Sequence, residues 1–203
     1  MPFRKLLSIK MNYLAHLHLG GSRPNQLLGS LYGDFVKGPL KGHYPAELEA
    51  AIHLHRRLDA WTDQHPLITE ARLRFSPELR RYSGIVLDVF FDHALAVNWA
   101  SYSHEPLAVF TQNFYKLLAK QTSLPGRLVK VAPWIIEEDW LGSYQEFEIL
   151  QTVLKGISYR LKQPGVLAPF WPELEDNYLV LLNDFQEIYP QLIEFAEEHW
   201  LVN

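Results

Sequence analysis

Between Ile85 and Val97 the chain reads Ile-Val-Leu-Asp-Val-Phe-Phe-Asp-His-Ala-Leu-Ala-Val, apolar around every side of a helix and so a segment that other helices must enclose. Asp88 and Asp92 lie in its middle, one helical turn apart, and their side chains share a face. An isolated buried carboxylate is too costly to stay ionised; it must be protonated, paired, or bound to a cation. Two that face the same way cannot relieve each other. An arginine from another helix would serve, and so would a divalent metal.

Helical spacing runs through the rest of the chain. Residues 25–36 carry Leu27, Leu28, Leu31, Tyr32, Phe35 and Val36 on one face, and Gly38-Pro39 stops the pattern. A second helix is expected over about 45–63, ended by His65-Pro66. The enclosed segment belongs to a third, about 77–100, with Pro77 in its first turn. Residues 107–120 form a fourth. Ser143-Tyr144-Gln145-Glu146 reads as a capping box opening a fifth that reaches about Leu161. Residues 173–200 form the last, bent or broken at Pro190. Pro125-Gly126 marks a turn, and Pro133 interrupts the segment after it. No period-2 stretch is long enough for a sheet, and no linker separates two units. The expected architecture is a single all-α helical domain.

The second helix also carries polar groups where core should be. Leu48, Ala51, Ile52, Leu58 and Thr62 define its apolar side; His55 and Asp59 fall inside that stripe, and Asp63 lies at its edge. His53, Arg56 and Arg57 point away. Asp34 interrupts Leu31-Tyr32-Gly33-Asp34-Phe35-Val36, and His16 and His18 sit among apolar neighbours in Tyr13-Leu14-Ala15-His16-Leu17-His18-Leu19. Each has an ordinary structural alternative. His18 and His53 read best as hydrogen-bonded or exposed residues, Asp59 and Asp63 could pair with Arg56 or Arg57, and Asp34 could cap. Taken together, five carboxylates and several imidazoles in one helical core are accounted for by a cage for one or two divalent ions. Mn²⁺, Mg²⁺, Fe²⁺ and Zn²⁺ all accept such ligands.

Cysteine is absent, so disulfides, thiolate nucleophiles and Cys-ligated zinc are excluded together. A formal net charge of -4 gives no general attraction to nucleic acid. No apolar run approaches a membrane span, and residues 1–10 are too interrupted for a secretory signal. A cytoplasmic location is the expectation.

Four blocks resemble the successive motifs of bacterial acyl carrier protein phosphodiesterases. They are Met11–Leu19, Gly29–Gly38, Ile52-His53-Leu54-His55-Arg56-Arg57-Leu58-Asp59-Ala60-Trp61-Thr62-Asp63, and Leu87-Asp88-Val89-Phe90-Phe91-Asp92-His93. The third, with its His-x-His-Arg-Arg-x-Asp-x-x-x-Asp pattern, is the most specific. The resemblance begins at Met11, leaving residues 1–10 as an extension outside it and 11–203 as one phosphodiesterase domain. It implies an HD-domain-like helical hydrolase that removes 4′-phosphopantetheine from holo acyl carrier protein with Mn²⁺ or a similar ion. Carried over by position, Asp34, His55, Asp59, Asp88, Asp92 and His93 become the metal site, with His16 a further member. Asp63 would orient or deprotonate the attacking water, His53 or His93 would protonate the leaving group, and Arg56 would meet phosphate oxygens.

Carrier proteins are acidic, so their partner should offer a basic patch; Arg72, Arg74, Arg80 and Arg81 cluster between the two carboxylate-bearing helices. Two rival functions fit the same residues. A related hydrolase of a nucleotide or other small phosphoester would need an enclosed pocket with stacking aromatics. A non-catalytic carrier-binding module would fill every metal position with protein ligands.

Overall fold

The structure, a computed structural model, describes residues 13–200; the extension expected over 1–10 lies outside the described residues. Among the described residues there are helices and turns and no strand. In chain order the helices are α1 (Tyr13–Leu19), α2 (Pro24–Tyr32), α3 (Ala46–Gln64), α4 (Pro66–Leu73), α5 (Arg80–Val97), α6 (Leu107–Ala119), α7 (Leu128–Glu137), α8 (Trp140–Ser143), α9 (Ile149–Arg160), α10 (Phe170–Asp176) and α11 (Tyr178–Trp200).

α5 occupies the centre, as its apolar circumference requires. Val86, Leu87, Val89, Phe90, Ala94 and Leu95 are all buried, and α1, α4, α9 and α11 pack around it. α2 lies along α3 so closely that a Cβ on Gly29 would stand 2.5 Å from the Leu48 carbonyl oxygen. On α3, Leu48, Ala51, Ile52 and Leu58 turn inward while His53 and Arg57 are exposed, the division its periodicity predicts.

Several boundaries differ from the sequence reading. α2 stops at Tyr32, so Asp34 stands in the turn beyond the helix. His65-Pro66 ends α3 as expected but also opens α4, with His65 Nδ1 accepting from the Leu67 N–H at 3.3 Å. Ser143 closes α8 instead of opening a helix: its hydroxyl donates backward to the Trp140 carbonyl at 2.8 Å. Pro133 and Pro190 lie inside continuous helices. Each removes a donor that would have reached the residue four positions back, and both of those residues, Val129 and Gln186, are exposed. The break in the last helical stretch falls at Asn177, whose side-chain amide donates to the Glu173 carbonyl at 2.8 Å and closes α10. Among the described residues no helix is long and apolar enough to cross a membrane.

Candidate metal centre

α3 carries His55 and Asp59 one turn apart into the interior. His55 donates its Nδ1–H to the Ser30 carbonyl of α2 at 2.9 Å, which fixes the tautomer. Nε2 then faces Asp59, 3.8 Å from Oδ2, the orientation that a metal-ligating histidine takes when its other nitrogen is held by a carbonyl. α1 supplies His16, with Nε2 3.2 Å from Asp59 Oδ1. The His16 and His55 rings stack with centroids 3.7 Å apart. One ligand atom from each of His16, His55 and Asp59 lies within 4.8 Å of the other two. Both histidines are buried, whereas the Asp59 side chain keeps 23% exposure, so the cluster opens toward solvent at its carboxylate.

A glycine makes this possible. A Cβ on Gly33 would stand 2.3 Å from His55 Cγ, so the imidazole packs directly on backbone there. Asp34 follows in the turn. It is buried, its Oδ2 has no hydrogen-bond partner, and burial pushes its carboxyl up to about 7, with the His16 charge opposing and the Asp59 charge adding to the rise. Burial also drives His55 well below the ordinary imidazole range, reinforced by His16, which keeps it neutral and able to ligate. His16 Nδ1 is likewise buried without a partner. Converging nitrogen and carboxylate donors, with two polar atoms unsatisfied beside them, fit a divalent cation; the set contains no thiolate and suits Mn²⁺, Fe²⁺, Zn²⁺ or Mg²⁺.

The other residues singled out in the sequence divide. Asp88 lines a cavity of about 30 Å³ together with His16, Leu58, Thr62, Phe91 and Tyr189. That volume is room for about one water, far below a nucleotide. Asp92 accepts the Leu14 and Ala15 N–H groups at 3.1 and 2.9 Å, so both its oxygens are engaged in holding the start of α1. His93 points elsewhere, with Nδ1 donating to the Tyr144 carbonyl at 2.8 Å and Nε2 2.9 Å from the Tyr178 hydroxyl. His18 is engaged on both nitrogens as well, by the Tyr102 carbonyl and the Tyr189 hydroxyl. His53 is exposed on the far side of α3, and Asp63 is exposed one turn beyond Asp59. Arg56 donates to the Val36 carbonyl at 2.8 Å and so ties down the turn that carries Asp34.

The arginines of the expected basic patch have internal partners. Arg74 grips Asp184 of α11 with two hydrogen bonds of 2.5 and 2.6 Å, and Arg80 donates to the Phe75 and Leu73 carbonyls. Arg72 lies across Gly84, and Arg81 sits over the Tyr82 ring. Sequence reasoning placed nothing from the second half of the chain near the site. The structure brings Arg127, at the start of α7, over the Phe35 ring at 5.6 Å, and the charges of Arg127 and of buried Arg160 both act on Asp34. No local pattern marks either arginine, because each reaches the site only through the packing of α7 and α9.

Comparison with known proteins bears on the same segments. A family profile described as "Acyl carrier protein phosphodiesterase" matches residues 11–192. A relative from Klebsiella pneumoniae (strain 342), carrying that name, is 38% identical over 193 residues, 94% of this chain and 100% of the relative. One of the same name from Escherichia coli O45:K1 is 37% identical over 190 residues, 92% of this chain and 97% of its own. Another from Enterobacter sp. (strain 638) is 36% identical over 193 residues. No solved structure matches.

Proposed function

The chain belongs to the acyl carrier protein phosphodiesterase family, and from that premise we propose that it hydrolyses the phosphodiester joining 4′-phosphopantetheine to a serine of holo acyl carrier protein. Water adds to phosphorus, the P–O(serine) bond breaks, and the serine oxygen leaves with a proton; the products are apo carrier protein and 4′-phosphopantetheine. The observation that carries this reading is the convergence of His16, His55 and Asp59 at a partly open carboxylate.

His16, His55 and Asp59 would hold a divalent ion, Mn²⁺ by our reading, with Asp34 as a further donor. Such an ion supplies positive charge that neutralises phosphoryl oxygens and acidifies water. The protein does the rest. Ser30 fixes the His55 tautomer, Gly33 lets the ring approach, and Arg127 and Arg160 favour the ionised form of Asp34. Asp88, which lines the same small cavity as His16, is the carboxylate that would orient the attacking water; Asp63, exposed one turn beyond Asp59, is the alternative. A cytoplasmic location belongs to the same reading.

The test is to incubate purified protein with holo acyl carrier protein, with Mn²⁺ or with EDTA, and record the intact mass of the carrier. Metal-dependent loss of the 4′-phosphopantetheine mass, abolished in His55→Ala and Asp59→Ala, is the expected result. A folded sample that produces no such loss with any divalent metal would sink the assignment.

A further inference from the structure

The loop joining α2 to α3 leads directly out of the metal cluster and carries no acidic residue between Phe35 and Tyr44, in a chain whose net charge is -4. It bears Lys37, Lys41 and His43, all exposed. These three, with Val36, Pro39, Leu40 and Tyr44, line an open cleft of about 320 Å³, to which α3 adds one carboxylate, Glu49. That volume is at the lower end of ligand-binding sites. Two lysines and an imidazole stand among apolar side chains, and the one carboxylate, Glu49, accepts from the Tyr44 N–H.

The loop is held in place at both ends. Arg56 fixes Val36 from α3, the Tyr44 N–H donates to Glu49 Oε1 at 3.3 Å, and the Tyr44 ring meets Tyr32 edge-on at 6.1 Å. Gly38 and Gly42 adopt φ of +79° and +73° with no heavy atom within 4 Å of where a Cβ would stand, so the loop faces solvent between its anchors. Lys37 is close enough to the cluster for its charge to act on both Asp34 and His55.

We propose that this cleft is the docking surface for the protein part of the substrate, an acidic face of the carrier around the modified serine. The proposal rests on the phosphodiesterase reading above. A serine oxygen stands only about 2.4 Å from its own Cα, two bonds away. When its phosphodiester reaches the cluster, the carrier backbone must therefore lie within a few ångströms of it, and the surface flanking the cluster must touch the carrier. The 36–44 loop is such a surface, and its charges complement an acidic partner. The arginines between α4 and α5 are less suited, because Arg74 and Arg80 are already engaged by Asp184 and by main-chain carbonyls.

The experiment compares the Mn²⁺-loaded wild-type protein with Lys41→Glu and Lys41→Glu/His43→Glu, both changes on exposed positions whose thermal melting checks the fold. Two quantities are read: KM and kcat for holo carrier, and Kd for apo carrier, which lacks the arm and reports the protein surface alone. The expected result is a rise of about tenfold in both KM and Kd for Lys41→Glu, more for the double variant, and recovery in Lys41→Arg. The rise should shrink above about 0.5 M salt, where the Debye length is only a few ångströms. Unchanged KM and Kd in the double variant overturn the docking surface. So does a loss confined to Arg72→Glu/Arg81→Glu, which would assign docking to the α4–α5 face. If wild type releases no 4′-phosphopantetheine while Lys41→Glu still weakens apo-carrier binding, docking stands and the phosphodiesterase reading falls.

Discussion

Asp92 and His93 are neighbours in sequence with unrelated partners, because consecutive helical residues point about 100° apart. Asp92 bonds two main-chain N–H groups of α1 with its two oxygens, and burial nevertheless holds its carboxyl well above the usual range. Asp92→Asn would turn an amide NH₂ against one of those N–H donors. We expect a loss of about 1–3 kcal/mol, read as a lower denaturant midpoint with unchanged m-value. His93 and His18 are both pushed below the ordinary imidazole range by burial. A base whose folded pKa is depressed binds fewer protons in the folded state, so its stabilising contribution is complete above the unfolded value near 6.5 and is lost as pH falls through the folded one. Stability should therefore decline from about pH 6.5 downward. His93→Gln should flatten that decline in urea titrations across pH 5–7.5; an unchanged slope would contradict the assignment.

Among the described residues α1 spans Tyr13–Leu19, seven residues, a length too short to be stable alone, since isolated helices below about 12 residues are marginal. It persists because Asp92 holds its start and because Tyr13, Leu14 and Leu17 are buried against α2, α5 and α11. Its placement delivers His16 to the residues of α3. The α2–α3 pair contributes the other half through Gly33. Gly33→Ala keeps every ligand and adds one methyl group where the His55 ring now lies. The ring or the turn must shift, so we expect Mn²⁺ affinity to fall at least tenfold with little change in helix content. Isothermal titration and circular dichroism on one sample would check both parts.

The cluster joins α1, the turn after α2, and α3, which are brought together only when the core forms around α5. An ion that binds the folded state alone stabilises it by about 2.7 kcal/mol at 100 times its Kd. For a chain of this size that should raise Tm by roughly 5–10 °C. The shift should vanish in Asp59→Ala and survive in His53→Ala, whose side chain is exposed on the opposite side of α3. By contrast the Arg74–Asp184 pair between α4 and α11 is partly exposed, and a double-mutant cycle there should return no more than about 1 kcal/mol.

Helical class, the core role of the 85–97 segment and the shared face of His55 and Asp59 were legible in the sequence because each depends on a period of 3.6 residues, a local property. The same periodicity correctly turned His53 and Arg57 outward, but it also turned Arg56 outward, and that side chain is half-buried against the Val36 carbonyl. Helix ends were read less well: Ser143, Pro133, Pro190 and the stop at Tyr32 depend on where a hydroxyl, a carbonyl or water completes a hydrogen bond. Which of the surplus carboxylates and arginines face the cluster was decided by tertiary structure alone. Asp92 meets main chain 77 and 78 residues away, Arg74 finds Asp184 across 110, and Arg160 acts on Asp34 from another helix. A buried charge takes whatever partner the finished packing sets beside it, and no local pattern carries that information.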